Sequence, residues 1–375
     1  MTITRFLVLV CSTLILLLSG CGPADTAVPY SGLAVLAQEA EAYTQARPGQ
    51  ALTFPRDHGP HPDYRIEWWY LTANLQDTEG RPYGAQWTLF RTAVRPHDQK
   101  APVNAWQSGQ VFMAHFALTW PDGHEAFQRY ARSGPADESR SGVTSSPFSA
   151  WLDDWSLLST TSQWLPLEAR ARQDRYALKL ALDSSKPLVL QGENGFSQKH
   201  PQGGGSFYYS HPFLQASGEL SIDGERIPVS GQAWLDHEWS SQFLQADQAG
   251  WDWFALHLES GEKLMLFRLR QRDSGPGGDY QHGALISPEG ESILLDPSRI
   301  GFKVLGTDQI AGRTLPLHWR IELPEINRSL DIKALHPDQW MDVDFPYWEG
   351  VVMVSGRGPG NRGKGYLEMT GYAED

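Results

Sequence analysis

An internal repeat restricts the fold of this chain more than any other feature. His115-Phe-Ala-Leu-Thr-Trp-Pro-Asp-Gly123 and His282-Gly-Ala-Leu-Ile-Ser-Pro-Glu-Gly290 match at His, Ala, Leu, Pro, acid and Gly without a gap. Trp69-Tyr-Leu-Thr-Ala-Asn-Leu75 resembles Trp253-Phe-Ala-Leu-His-Leu258 with a one-residue slip. Each leads through a glycine turn to Leu89-Phe-Arg91 or to Leu266-Phe-Arg268. Gly231-Gln-Ala-Trp-Leu-Asp236 pairs with Gly363-Lys-Gly-Tyr-Leu-Glu368. Blocks recurring in one order mark a duplicated unit, with copies at roughly 62–238 and 250–372.

Each copy reads as β structure. Ile66–Leu75 is rich in aromatic and β-favouring residues and ends in the turn Gln76-Asp-Thr-Glu-Gly80; Ala85–Val94 and Gln110–Thr119 follow. Short segments punctuated by Gly, Pro and Asp continue to the C-terminus, and no 3.6-residue period stands out after residue 50. About eight such segments per copy would let a sheet close on itself, removing its edges and leaving room for a small ligand. The expected fold is all-β: two up-and-down, calycin-like barrels, one in a domain at 51–240 and one at 241–375. A pair of sandwiches with solid cores is the alternative, since strand number does not separate the two.

The N-terminus belongs to no domain. Phe6–Leu18 is an almost unbroken apolar run, too short for a comfortable membrane span, and small residues follow. Leu18-Ser-Gly-Cys21 resembles the lipobox of bacterial lipoproteins, which makes residues 1–20 a signal peptide and Cys21 the lipidated first residue. Gly22, rather than Asp, points by the same resemblance to the outer membrane, facing the periplasm. Residues 21–50 read as the lipidated cysteine and a tether, with room for a short helix at 33–46. The other cysteine, Cys11, lies in the discarded segment, so the mature chain has no disulfide and no cysteine-based chemistry. Lys and Arg number 31 against 44 Asp and Glu, a net charge of −13 without a basic cluster, which argues against nucleic acid as a partner.

The richest stretch for chemistry is Gly231–Phe254. If 232–239 is a strand, Trp234, Asp236 and Glu238 share one face and Ala233, Leu235, His237 and Trp239 the other. Asp236, His237 and Glu238 are the candidate catalytic residues: a carboxylate pair beside an indole is a proton-handling site, or else a charged strand end packed on a core tryptophan. In the second copy the matching residues are Glu368, Met369 and Thr370, so the cluster is not a requirement of the fold. Among 15 tryptophans, Trp69, Trp234, Trp239, Trp251 and Trp253 are the candidate ligand contacts, with Tyr209 from the aromatic strand after Gly203-Gly-Gly205. Such rings suit flat, polyene-like ligands and stabilise a cation; core packing explains most tryptophans equally well. His58-Gly-Pro-His61-Pro-Asp63 lacks the spacing of a known zinc motif and reads as a loop, so no metal and no cofactor is expected. No nucleophile elbow or paired-glycine dinucleotide fingerprint occurs.

His61-Pro-Asp-Tyr-Arg-Ile-Glu-Trp-Trp-Tyr70, Trp234-Leu-Asp-His-Glu-Trp239, Gly250-Trp-Asp-Trp-Phe254 and Gly365-Tyr-Leu-Glu-Met-Thr-Gly371 resemble the AttH-like, lipocalin-like proteins, distant relatives of carotenoid 1,2-hydratase (hydroxyneurosporene synthase). The resemblance spans roughly residues 50–375 and implies tandem lipocalin-like barrels. In the hydratase branch an isoprenoid double bond is protonated and water captures the carbocation. Here that would use an acid from Asp236 or Glu238, tuned by His237, with Trp234, Trp239, Trp251 or Trp253 facing the cation.

Three functions follow as expectations. The first is a lipoprotein that binds a lipid or isoprenoid inside a barrel. The second is a hydratase acting on such a ligand. The third is a partner of an ABC-type export permease, held to the membrane by the lipid anchor.

Overall fold

A computed structural model describes residues 41–97, 108–134, 139–272 and 278–374 of the chain. The expected signal peptide (1–20), Cys21 and most of the expected tether lie outside the described residues. Of the expected helix at 33–46, the described part, 41–46, is turn, bend and irregular chain.

Strands account for nearly all regular structure, and the only helical pieces among the described residues are single 3-10 turns. In chain order the first sheet comprises β1 Ile66–Gln76, β2 Pro82–Ala93, β3 Gln110–Trp120, β4 Gly123–Arg132, β5 Ser141–Ser145, β6 Phe148–Leu152, β7 Trp155–Ser159, β8 Leu167–Gln173, β9 Tyr176–Asp183, β10 Val189–Leu190, β11 Phe196–Gln198, β12 Gly205–Ile222 and β13 Glu225–Ser240. The second comprises β14 Gln248–Leu258, β15 Lys263–Gln271, β16 Tyr280–Ile286, β17 Ser292–Leu294, β18 Gly301–Ile310, β19 Arg313–Leu323, β20 Arg328–Ala334, β21 Trp340–Met341, β22 Tyr347–Gly356 and β23 Gly363–Met369. The first sheet runs β4-β3-β2-β1-β13-β12-β9-β8-β7-β6-β5 and curls until β4 meets β6, a nearly closed barrel. The second runs β17-β16-β15-β14-β23-β22-β20-β19-β18 and stays open as a half-barrel. The tandem lipocalin-like fold is therefore present with unequal closure.

The repeat is visible in strand register. Leu75 pairs with Gly231 as Leu258 pairs with Gly363, so Tyr70, opposite Asp236, corresponds to Trp253, opposite Glu368. Thr88 pairs with His115 as Phe267 pairs with His282, which confirms the histidine match. The slip at Trp69 resolves as Tyr70 against Trp253, and the Leu-Phe-Arg similarity is offset by two residues.

Alternation along the strands decides what each face meets. Trp69, Leu71, Trp87, Leu89, Phe116, Trp155 and Leu235 fill the first barrel. This corrects the expectation that a ligand sits inside a barrel: indole and aliphatic side chains occupy that volume, packed as a core. Phe254, Leu256, Trp319, Trp348 and Leu367 fill the second sheet's concavity. The outer faces of the two sheets then dock on each other through Tyr70, Trp234, Trp253, Ala255, Met265, Val351 and Tyr366. Asn74 Nδ2 donates across this seam to the Gly365 carbonyl at 3.0 Å. Gly84 permits the close approach: a Cβ there would lie 2.4 Å from Val351 Cγ2 and 2.5 Å from the Tyr366 hydroxyl.

Candidate functional site

Where the outer faces diverge they leave a cavity of about 820 Å³, with mainly apolar walls. Ile66, Trp68 and Tyr70 of β1 and Tyr208, Asp236 and Glu238 of β12 and β13 form one wall; Trp251, Trp253, Phe267, Leu269 and Glu368 form the other. Val94 and Tyr130, both exposed, stand at its rim with Phe345 and Asp344. Trp253 packs edge-on against Tyr70, and Phe243 does so against Trp68 and Trp251.

Asp236 is buried in this wall and held by three uncharged donors: Ser210 Oγ at 2.5 Å and Trp234 Nε1 at 2.6 Å on Oδ1, and the Tyr208 hydroxyl at 2.7 Å on Oδ2. Burial favours its neutral form and pushes it up to about 7, against the lowering pull of those three bonds. Tyr208 in turn accepts from Trp253 Nε1 at 3.3 Å, tying the acid to the second sheet. Glu238, two residues on, is paired with Lys199 Nζ at 2.8 Å and accepts from the Ser206 hydroxyl. The Lys199 ammonium lies 4.3 Å from the Phe267 ring centroid and 4.9 Å from that of Phe243. Burial lowers its pKa against the raising pull of Glu238.

Facing this group is a second acid pair. Glu368 opens onto the cavity and accepts from Trp251 Nε1 at 2.6 Å. Glu349 stands directly opposite it in the β22–β23 ladder and accepts from the Tyr70 hydroxyl at 2.6 Å. Its other oxygen, Oε2, has no hydrogen-bond partner among the described residues. Burial raises Glu368 to about 7, helped by the charges of Asp236 and Glu238. Burial and then the charge of Glu368 push Glu349 well above the carboxylate range.

The sequence-derived candidates therefore divide by face. Asp236, Glu238, Trp251 and Trp253 line the cavity, while Trp234 sits behind Asp236 as its hydrogen-bond donor. His237, Trp69, Trp239 and Tyr209 lie on the opposite face, at the end of the first barrel. There His237 Nε2 and His61 Nδ1 both meet Glu67 Oε1, at 2.9 and 2.7 Å, and Arg91 Nε meets Glu67 Oε2 at 2.7 Å. Trp239 stacks on His61 at 3.8 Å and Trp69 on His237 at 4.6 Å, while the Tyr209 hydroxyl lies 2.8 Å from His58 Nδ1. Burial would raise Glu67, but the charges of Arg91 and His61 prevail and hold it well below the usual range. Burial keeps His237 neutral, near 4. The ligand atoms of His61, Glu67 and His237 lie within 4.8 Å of one another, a donor set suited to a divalent metal. Each also has a hydrogen-bond partner within the cluster.

Sequence reasoning overlooked Lys199, Tyr208, Glu349 and the role of Glu368. For Glu368 the signal was present, since the repeat sets it against Asp236. For Lys199 and Glu349 only tertiary placement reveals the role.

The AttH-like family matches residues 45–372, which takes in both sheets and the cavity between them. The chain belongs to the AttH-like family. A crystal structure of an AttH protein from Nitrosomonas europaea is 37% identical, covers 88% of this chain and 100% of its own, and superposes with a TM-score of 0.77. Kievitone hydratase from Nectria haematococca shares the fold at 15% identity, covering 90% of this chain and 98% of its own, with a TM-score of 0.65. CghA, solved with Sch210972, also shares the fold at 15% identity, covering 90% and 98%, with a TM-score of 0.56. No curated protein matches the sequence. The AttH-like fold thus extends to a hydratase, though at an identity that speaks for fold alone.

Proposed function

We propose that the cavity between the two sheets takes an apolar, isoprenoid-like or lipid ligand and that Asp236 protonates a double bond in it, so that water is added. The observation that carries this reading is Asp236 itself: a carboxyl on an apolar cavity wall, surrounded by neutral donors, that keeps its proton near neutral pH. Its proton would pass to one alkene carbon, leaving a cation on the other. The rings of Trp253, Trp251 and Tyr208 face that cation, and water oxygen closes the new C–O bond. Glu238, already paired with Lys199, is less suited to donate. The fold shared with kievitone hydratase is compatible with this chemistry.

The lipobox-like Leu18–Cys21 supports, in this reading, a position on the outer membrane facing the periplasm, where an apolar ligand is at hand. No helix among the described residues is long and apolar enough to cross a membrane.

Native mass spectrometry of the protein from its own host, followed by extraction, tests the binding half: a retained polyprenoid or acyl lipid is expected. Incubation in heavy water tests the chemistry: wild type should incorporate solvent deuterium into the extracted ligand and Asp236→Asn should not. An empty cavity, or equal incorporation by both proteins, would defeat the proposal.

A further inference from the structure

The repeat places Glu368 of the second copy where Asp236 stands in the first, and docking turns both into one cavity. Their surroundings have diverged. Asp236 lies opposite Ser210 in the β12–β13 ladder, whereas Glu368 lies opposite a second carboxyl, Glu349. Two carboxyls directly opposite each other on adjacent strands, Glu349 buried and Glu368 open to the cavity, oppose each other's ionisation, so a single negative charge on the pair is favoured over two. Charged and titratable groups facing this pair are Tyr70 of β1, Tyr347 of β22, Tyr366 of β23, and Asp236 and Glu238 of β13. No cation is among them; Lys199 is committed to Glu238. Glu349 Oε2 is buried without a partner in hydrogen-bond geometry, with the Tyr347 hydroxyl as its polar neighbour.

We propose that the Glu349–Glu368 pair is the proton acceptor of the cavity, with Glu368 as the catalytic residue that faces the cation and the water, and Glu349 as the positioning residue that sets its charge. This rests on the reading of the cavity as an acid-catalysing site and completes its balance. Asp236 gives its proton to one alkene carbon, water oxygen bonds to the other, and the proton lost by that water passes to Glu368. Asp236 is left as the carboxylate until solvent returns its proton. Donor and acceptor sit on opposite walls, so proton and hydroxyl would reach the double bond from opposite faces.

A carbocation mimic tests this without the natural substrate. Dodecyltrimethylammonium and neutral dodecanol are competed against N-phenyl-1-naphthylamine at pH 8. Wild type should prefer the ammonium by about tenfold, the range of a desolvated cation beside rings and a carboxylate. Glu368→Gln should lose that preference while keeping its affinity for dodecanol, which also reports that the cavity is folded; Glu368→Asp should retain it. Glu349→Gln removes the carboxyl that opposes ionisation of Glu368, so the preference should persist to lower pH than in wild type. Survival of the preference in Glu368→Gln would leave the aromatic rings as its whole source and overturn the assignment. Its loss in Asp236→Asn but not in Glu368→Gln would do the same. If neither probe bound, the cavity reading itself would fail, and the role of the pair with it.

Discussion

Glu67 and Asp236 are both fully buried carboxyls on neighbouring strands, β1 and β13, yet they sit on opposite faces and have opposite electrostatic fates. Glu67 points to the barrel end, where Arg91 and His61 supply positive charge, and it stays ionised. Asp236 points to the cavity, where only hydroxyls and an indole reach it, and its pKa is pushed up to about 7. Burial acts on both in the same direction; what differs is the charge of the partners. One two-residue alternation thus yields a structural anion on one side and an acid on the other.

The largest test of that contrast is catalytic. Asp236→Asn keeps the shape and the hydrogen-bond acceptor but removes the transferable proton, and deuterium incorporation should fall by about a hundredfold or more. The reciprocal change, Glu67→Gln, leaves Arg91 buried without its countercharge. It should cost about 3–5 kcal/mol of stability in a denaturant titration, because breaking a buried pair strands the other ion. A loss under about 1 kcal/mol would mean that Arg91 finds another partner and that the cluster is not what anchors the barrel end.

Dependence on pH sharpens the comparison. Asp236 lies at about 7 folded against 3.8 for an ordinary aspartate, so between those values the folded state holds a proton the unfolded state has lost. Its contribution to stability therefore falls as pH rises across that window and is flat above it. Relative to wild type, Asp236→Asn should gain stability from pH 4 to 7 and stay ahead at pH 8, read as a difference in Tm. Glu67 has the opposite sign: its stabilisation is present above the ordinary glutamate value and is lost as pH falls towards its depressed folded value. The deficit of Glu67→Gln should accordingly shrink in acid. Parallel curves for the two variants would refute the claim that partner charge separates them.

How far this was legible in the sequence follows from the kind of interaction involved. Period-2 alternation alone puts Trp234, Asp236 and Glu238 on one face and His237 and Trp239 on the other. The repeat sets Glu368 against Asp236. Neither could show that the first barrel is solid, because that depends on how Trp69, Trp87 and Trp155 share one volume. The Glu67–His61–His237 cluster needs the 56–64 loop folded back over the barrel end, and a loop's path has no periodicity to read. Glu349 is found only through the register of β22 against β23, and Lys199 only through the segment preceding β12. The cavity belongs to neither copy alone, so a search within one repeat could not have located it.

The smallest effect bears on the second acid pair and carries the same logic into it. Trp251→Phe removes the indole donor on Glu368 and keeps a ring on the cavity wall. A hydrogen bond to a carboxylate favours its charged form, so without it Glu368 should rise further above about 7. Stability should change by no more than about 1 kcal/mol, since Glu368 is open to the cavity and regains water. What should move is the pH at which dodecyltrimethylammonium begins to outcompete dodecanol, shifting upward with the affinity for dodecanol unchanged. An unshifted onset would mean that the indole does not set the charge of Glu368, and that neutral donors matter less in this cavity than the comparison of Asp236 with Glu67 implies.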